Sequence, residues 1–285
     1  MAETNSGKPV KRTVIDVEDV VNMVPKLKGH EKFVTCLLRW LSIDRVNDVH
    51  SRGFDTPGPP FVKFLLEDFN IDLQIDNEHI LNNLPEGAFI TVSNHPFGAL
   101  DGIALIHIIA SRRPEYKVMV NMFLNHLTAM RPNFIAVDQS ASDDLAKKAV
   151  SIQGIKQAVM QVRRGNPIGF FPAGAMSKVN WKWELIDRQW QPNIIRLIQQ
   201  LKVPVIPIYF HGNNSFIFNL LGITFWQLRT VRLPSEVFRK CNKPMHISVG
   251  EPISVEEQQL HQGSTEEFGE WLKSQTYALG KKWKR

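Results

Sequence analysis

The chain has 285 residues, 43% of them hydrophobic, with a net charge of +6 and two cysteines. Such a composition is ample for one sizeable core and excludes long disordered tracts, a disulfide framework and a thiolate metal site. The moderate positive charge permits an anionic surface or acidic small molecules as partners.

Residues 1–12 read as a flexible start, and residues 13–70 as a helical segment lying against a domain spanning 71–285. The start has no apolar signal core, which predicts a cytoplasmic chain. No run reaches the ~18 apolar residues needed to cross a bilayer. Over about 15–52 the periodicity is helical, with an apolar stripe of Phe33, Cys36, Leu37, Trp40 and Leu41. After the turn-rich Asp55–Pro60, a helix is predicted over Phe61–Phe69.

From residue 71 the pattern alternates. Strands are predicted at Ile71–Ile75, Ala88–Val92, Tyr116–Val120, Phe134–Val137, Ile168–Phe171, Val205–Phe210 and His246–Val249. Helices are predicted at Gly102–Ser111, Leu145–Arg164 and Pro192–Gln200. Alternation of this kind predicts an α/β fold with a mainly parallel mixed sheet flanked by helices. Sites in such sheets form at the carboxyl ends of strands.

Three strand ends carry candidate chemistry. Asn94-His95-Pro96-Phe97-Gly98-Ala99-Leu100-Asp101-Gly102 follows the second run. His95 can take a proton near neutral pH, and Asp101 can fix its tautomer, with Gly98 letting the loop fold back. Asp101 as a helix cap is the competing reading. Phe171-Pro172-Ala173-Gly174-Ala175-Met176-Ser177-Lys178 ends the fifth run in a Pro-x-Gly turn. Its backbone amides, Ser177 and Lys178 can meet an anionic or carbonyl oxygen, or the loop is an ordinary strand exit with a capping serine. His211-Gly212-Asn213-Asn214-Ser215 ends the sixth, with His211 read as structural and Asn213 as a substrate-binding position.

Phe216–Leu228 is too short to span a membrane and is either a core helix or an interfacial segment flanked by Arg229 and Arg232. The tail Lys281-Lys282-Trp283-Lys284-Arg285 is a solvated helix end or a membrane-surface contact. A Gly-x-Ser-x-Gly elbow, a P-loop, a dinucleotide turn, a zinc motif and a nucleic-acid reader motif are all missing from the sequence. No nucleic acid, metal or cofactor is therefore expected.

Together these blocks resemble the glycerolipid and lysophospholipid acyltransferases. The likeness is strongest to a bacterial branch labelled hemolysin that includes acyltransferases of lyso-ornithine and related aminolipids. It spans roughly residues 85–250. The block at Asn94–Gly102 matches this branch's first motif, Phe171-Pro172-Ala173-Gly174 stands where the wider family has Phe-Pro-Glu-Gly, and Val205-Ile206-Pro207-Ile208 matches the closing motif. The resemblance implies direct transfer without an acyl-enzyme. His95 would act as general base on the hydroxyl of a lyso-lipid acceptor, assisted by Asp101. Gly98, Pro172, Gly174, Ser177, Lys178 and Asn213 would bind substrate, with amides near Gly174 and Ser177 as oxyanion donors. The donor would be acyl-CoA or acyl carrier protein, used as co-substrate, and the enzyme would lie peripherally on the cytoplasmic face of an anionic membrane surface.

Five residues separate His95 from Asp101, where the family has four. Ala173 replaces the family's glutamate, and the arginines ending its second and third blocks are missing here, with Met176 and Asp138 nearby. Loss of two bidentate cations points away from lysophosphatidate and toward a lyso-aminolipid or a lysophospholipid recognised differently. A lipid-binding protein without turnover is the alternative, and a thioesterase a third reading.

Overall fold

Seven apolar runs pair into one sheet in the computed structural model, which describes residues 11–138, 145–180, 184–224, 229 and 232–282. In chain order the strands are β1 (Leu73–Asp76), β2 (Ile90–Ser93), β3 (Lys117–Asn121), β4 (Phe134–Val137) and β5 (Ile168–Phe170). A short hairpin, β6 (Lys178–Val179) and β7 (Leu185–Ile186), precedes β8 (Val205–Phe210) and β9 (Met245–Val249). The large sheet has the order β1-β9-β8-β2-β5-β3-β4. Strands β8, β2, β5, β3 and β4 run parallel, β9 runs antiparallel to β8, and β1 lies parallel to β9. This is the mainly parallel mixed α/β sheet that the alternation predicts.

The described helices are α1 (Val17–Met23), α2 (Glu31–Trp40), α3 (Ile43–Gly53), α4 (Pro59–Asp68), α5 (Glu78–Leu81), α6 (Ala99–Ala110), α7 (Leu145–Arg163), α8 (Pro192–Leu201) and α9 (Phe216–Thr224). Leu233–Arg239, Val255–Leu260 and Thr265–Lys282 follow. One apolar layer joins α4 and α6 to Ile206, Ile208 and Phe210 of β8. The opposite layer packs Ile195 and Ile198 of α8, with Phe268 and Leu272 of the C-terminal helix, against Ile90, Val92 and Ile168. Strands buried on both faces need apolar residues at successive positions, which is why β2 and β8 read as continuous runs.

The apolar stripe expected on the first helices needs correction. Val34 and Leu41 are buried, whereas Phe33 and Trp40 are 61% and 64% exposed. α2 carries two apolar faces about 100° apart, and only the face with Val34 turns inward. Lys11 and Arg12, read as part of a flexible start, are held by ion pairs to Asp16, Asp19 and Asp55. The β6–β7 hairpin and the two C-terminal helices have no counterpart among the predicted elements. Residues 225–228 and 283–285 lie outside the described residues, so Phe225, Trp226 and the end of the basic tail receive no structural account. Among the described residues no helix is long and apolar enough to cross a membrane.

Candidate active site

Strands β8, β2 and β5 are sheet neighbours and run parallel. Their carboxyl ends therefore deliver the three candidate loops to one sheet edge. Asn94 ties the first two together: its amide donates to the Phe210 carbonyl at 2.9 Å and accepts from the Phe210 amide at 2.7 Å. This buried clip sets where the next residue, His95, leaves the sheet.

The chain then turns back through Gly98, at φ +78°, into α6. A Cβ at Gly98 would meet Met176 Sδ at 2.8 Å and Leu233 Cδ1 at 2.9 Å, so a side chain there would displace both neighbours, and the dihedral favours glycine. Asp101, in the first turn of α6, is fully buried. One of its oxygens accepts from the amides of Phe97 and Gly98 at 2.9 and 3.0 Å and lies 2.9 Å from His95 Nδ1. The helix-cap and imidazole-partner readings of Asp101 are thus both present in one carboxylate oxygen. Burial pushes the Asp101 carboxyl up from its usual range, and His95 with the two amides opposes that push.

Nδ1 is the ring nitrogen that approaches Asp101, at 2.9 Å, in a geometry that falls short of a hydrogen bond. The ring stacks on Phe171, centroids 4.2 Å apart, and a fifth of the side chain is exposed. The five-residue spacing is absorbed by the Gly98 turn.

The loop after β5 packs against this turn, but its donors differ from the sequence expectation. Pro172 is buried and its carbonyl accepts from the Gln191 amide at 2.8 Å. The Gly174 amide closes a turn onto the Phe171 carbonyl at 2.9 Å. The Ser177 amide donates to the His95 carbonyl at 2.8 Å and its hydroxyl to Asp187 at 2.5 Å. Neither residue has a free donor for an oxyanion. Among the described residues, the amides of Ala173, Ala175 and Met176 in the same loop have no hydrogen-bond partner and take over that candidacy. Lys178 sits exposed on the hairpin.

The third loop is also corrected. Asn213 is exposed, and Asn214 turns inward to donate to the Pro96 carbonyl at 3.0 Å. His211 is buried against Ser248 Oγ at 2.8 Å, and Ser248 donates to Asp76 at 2.7 Å, so the structural reading of this histidine accords with its contacts.

Asp187 was missed by sequence reasoning. It is 4% exposed and gathers Ser177 Oγ, Trp190 Nε1 at 3.2 Å and the His95 amide at 3.4 Å. Tyr277, on the C-terminal helix, accepts from the Asp187 amide at 2.9 Å. Its sequence signal is weak, an acid three residues after Glu184 in a basic and aromatic stretch.

Beside the dyad lies a cavity of about 470 Å³ with almost wholly apolar walls. Ala99 and Ile103 of α6 and Leu233, which packs at the Gly98 turn, line it together with Leu41, Val49 and Phe61. The N-terminal helices thus roof a space within the usual range for ligand pockets, ~300–1,000 Å³.

The chain is 28% identical over 252 residues to a lyso-glycine lipid O-acyltransferase of Bacteroides thetaiotaomicron, covering 84% of this chain and 88% of that protein. A lyso-glycine lipid O-acyltransferase of Phocaeicola vulgatus is 27% identical over the same length, covering 84% and 86%. A 1-acyl-sn-glycerophosphate acyltransferase of Thermotoga maritima superposes with a TM-score of 0.49 at 13% identity, over 90% of this chain and 99% of that one. The family model described as acyltransferase matches residues 22–284, nearly the whole chain, and on that match the chain belongs to the acyltransferase family.

Proposed function

We propose that this acyltransferase moves a fatty acyl group from a thioester donor to the hydroxyl of a lyso-lipid, with a lyso-glycine lipid or similar aminolipid as acceptor. The observation that carries this reading is the His95 ring held at 2.9 Å by a buried carboxylate, next to an apolar cavity. His95 Nε2 takes the proton of the acceptor hydroxyl as its oxygen attacks the thioester carbonyl. Asp101 stabilises the imidazolium, and loop amides at Ala173, Ala175 or Met176 receive the oxyanion. Collapse breaks the carbon–sulfur bond, and the imidazolium returns the proton to the departing thiolate. The donor is acyl-CoA or acyl carrier protein, and no step needs a metal or cofactor. The relatives named as lyso-glycine lipid O-acyltransferases support the choice of acceptor. We place the protein on the cytoplasmic membrane face, where such acceptors are drawn from the lipid surface.

The test is thioester consumption by the purified chain across a panel of lyso-lipids. His95→Ala should lower kcat by ~10²–10⁴, the usual contribution of a general base. Equal transfer by both proteins would remove His95 from the mechanism. Fatty acid release without any acceptor would instead identify a thioesterase, and binding without turnover a lipid-binding protein.

A further inference from the structure

Arg229 is the least expected charge in the molecule. It is 5% exposed, and its guanidinium lies 4.9 Å above the Phe218 ring, in room left by Gly222. One nitrogen, Nη2, donates to the Ser177 carbonyl, while Nε is buried with no partner. No carboxylate approaches it among the described residues, and residues 173–183 and 216–233 contain no Asp or Glu at all. The neighbouring charge that acts on it is another cation, Arg188, which is exposed. Burial first and Arg188 second push its pKa down to about 10.

A buried guanidinium without a counterion is costly, since both its desolvation and its free donor go uncompensated. Such a group becomes favourable when a ligand brings the missing negative charge. The position is suited to this. Ser177 spans the two sites, its amide on the His95 carbonyl and its own carbonyl on Arg229. Ser177 thus links the backbone of His95 to the buried cation through its own amide and carbonyl. A diphosphate-bearing donor suits exposed cations better than this confined, aromatic-floored position.

We propose that Arg229, supported by Arg188, is an anion subsite that takes the compact anionic head group of the lyso-lipid acceptor, a carboxylate or a phosphate. The inference rests on the acyl-transfer reading above and assigns the acceptor-specificity residue for it. The head group at Arg229 and the hydroxyl at His95 would then fix the acceptor at two points.

The full chain is assayed with a lyso-lipid ending in a free glycine carboxylate, the methyl ester of that lipid, and lysophosphatidate. Wild type should prefer the acid over its ester at least tenfold in kcat/KM. Arg229→Gln should raise KM for the acid at least tenfold while KM for the ester and the thioester donor stay unchanged, and Arg229→Lys should recover part of the loss. The exposed Arg188→Gln, which poses no folding risk, should raise KM for the acid severalfold and leave the ester unaffected. Comparable use of lysophosphatidate assigns a general anion site; rejection of it assigns a carboxylate site. Equal use of acid and ester by wild type overturns the proposal. So does an Arg229→Gln effect that falls on all acceptors alike, or on the donor KM alone. If no acceptor is acylated, the acyl-transfer reading falls and the subsite is judged by binding: acid retained over ester by wild type but not by Arg229→Gln supports it, and equal retention overturns it.

Discussion

Asp101 concentrates two duties in one oxygen. It caps the first turn of α6 through the amides of Phe97 and Gly98, and it faces His95 Nδ1. Asp101→Asn separates them, because an amide oxygen can still accept from the two backbone donors. Burial raises the carboxyl's pKa in the folded protein, so its stabilising contribution is present below the ordinary carboxylate range and is lost as pH rises through the raised value. The asparagine variant lacks that loss. Its melting temperature relative to wild type should therefore climb between pH 4 and pH 8, while acyl transfer falls by ~10²-fold or more as the imidazole loses its partner. Undiminished acyl transfer by Asp101→Asn would show that the carboxylate acts only as a cap.

At the scale of elements, the site depends on three neighbouring strand ends staying in register. The Asn94 side chain clips β2 to β8 with two buried hydrogen bonds. Asn94→Leu leaves the Phe210 amide and carbonyl unpaired and should cost about 2–4 kcal/mol in urea unfolding. A loss below about 0.5 kcal/mol would show the clip to be dispensable. This level also separates what is legible in the sequence from what is not. The strand runs announce themselves because a sheet covered on both faces demands apolar residues in succession. His95, Gly98 and Asp101 are legible because a strand, a turn and a helix start fall within nine residues. Asp187, Asn214 and Arg229 are not, since each acquires its meaning from partners brought in by other elements. Gly174 and Ser177 mislead for a related reason: the sequence marks the right loop, and only coordinates reveal which of its N–H groups are already engaged. The α2 stripe fails because an exposed aromatic face and a buried aliphatic one share the same periodicity.

At the scale of the molecule, the N-terminal helices have two apolar sides. One roofs the cavity beside the dyad, with Leu41 and Val49 in its wall. The other shows Phe33 and Trp40 to solvent on α2, with Lys32 and Arg39 adjacent in sequence. Apolar side chains flanked by basic ones suit the headgroup boundary of an anionic bilayer. The double variant Phe33→Ser, Trp40→Ser should lose at least tenfold in partitioning to anionic liposomes, with an unchanged melting temperature because neither side chain is buried. Unaltered partitioning would remove Phe33 and Trp40 from any membrane contact and leave α9, where Phe216 and Ile217 are 62% and 53% exposed, as the surface to test.

The bond between Tyr277 and Asp187 joins residues 90 positions apart. A ribosome releases His95 early and the partner of Asp187 much later, since Tyr277 follows His95, Ser177 and Asp187 along the chain. The cavity and the parallel strands can take shape while Tyr277 is still unmade. The loops carrying His95 and Ser177 gain their full support only once the C-terminal helix docks, so this corner of the fold is among the last parts the chain completes as it is synthesised.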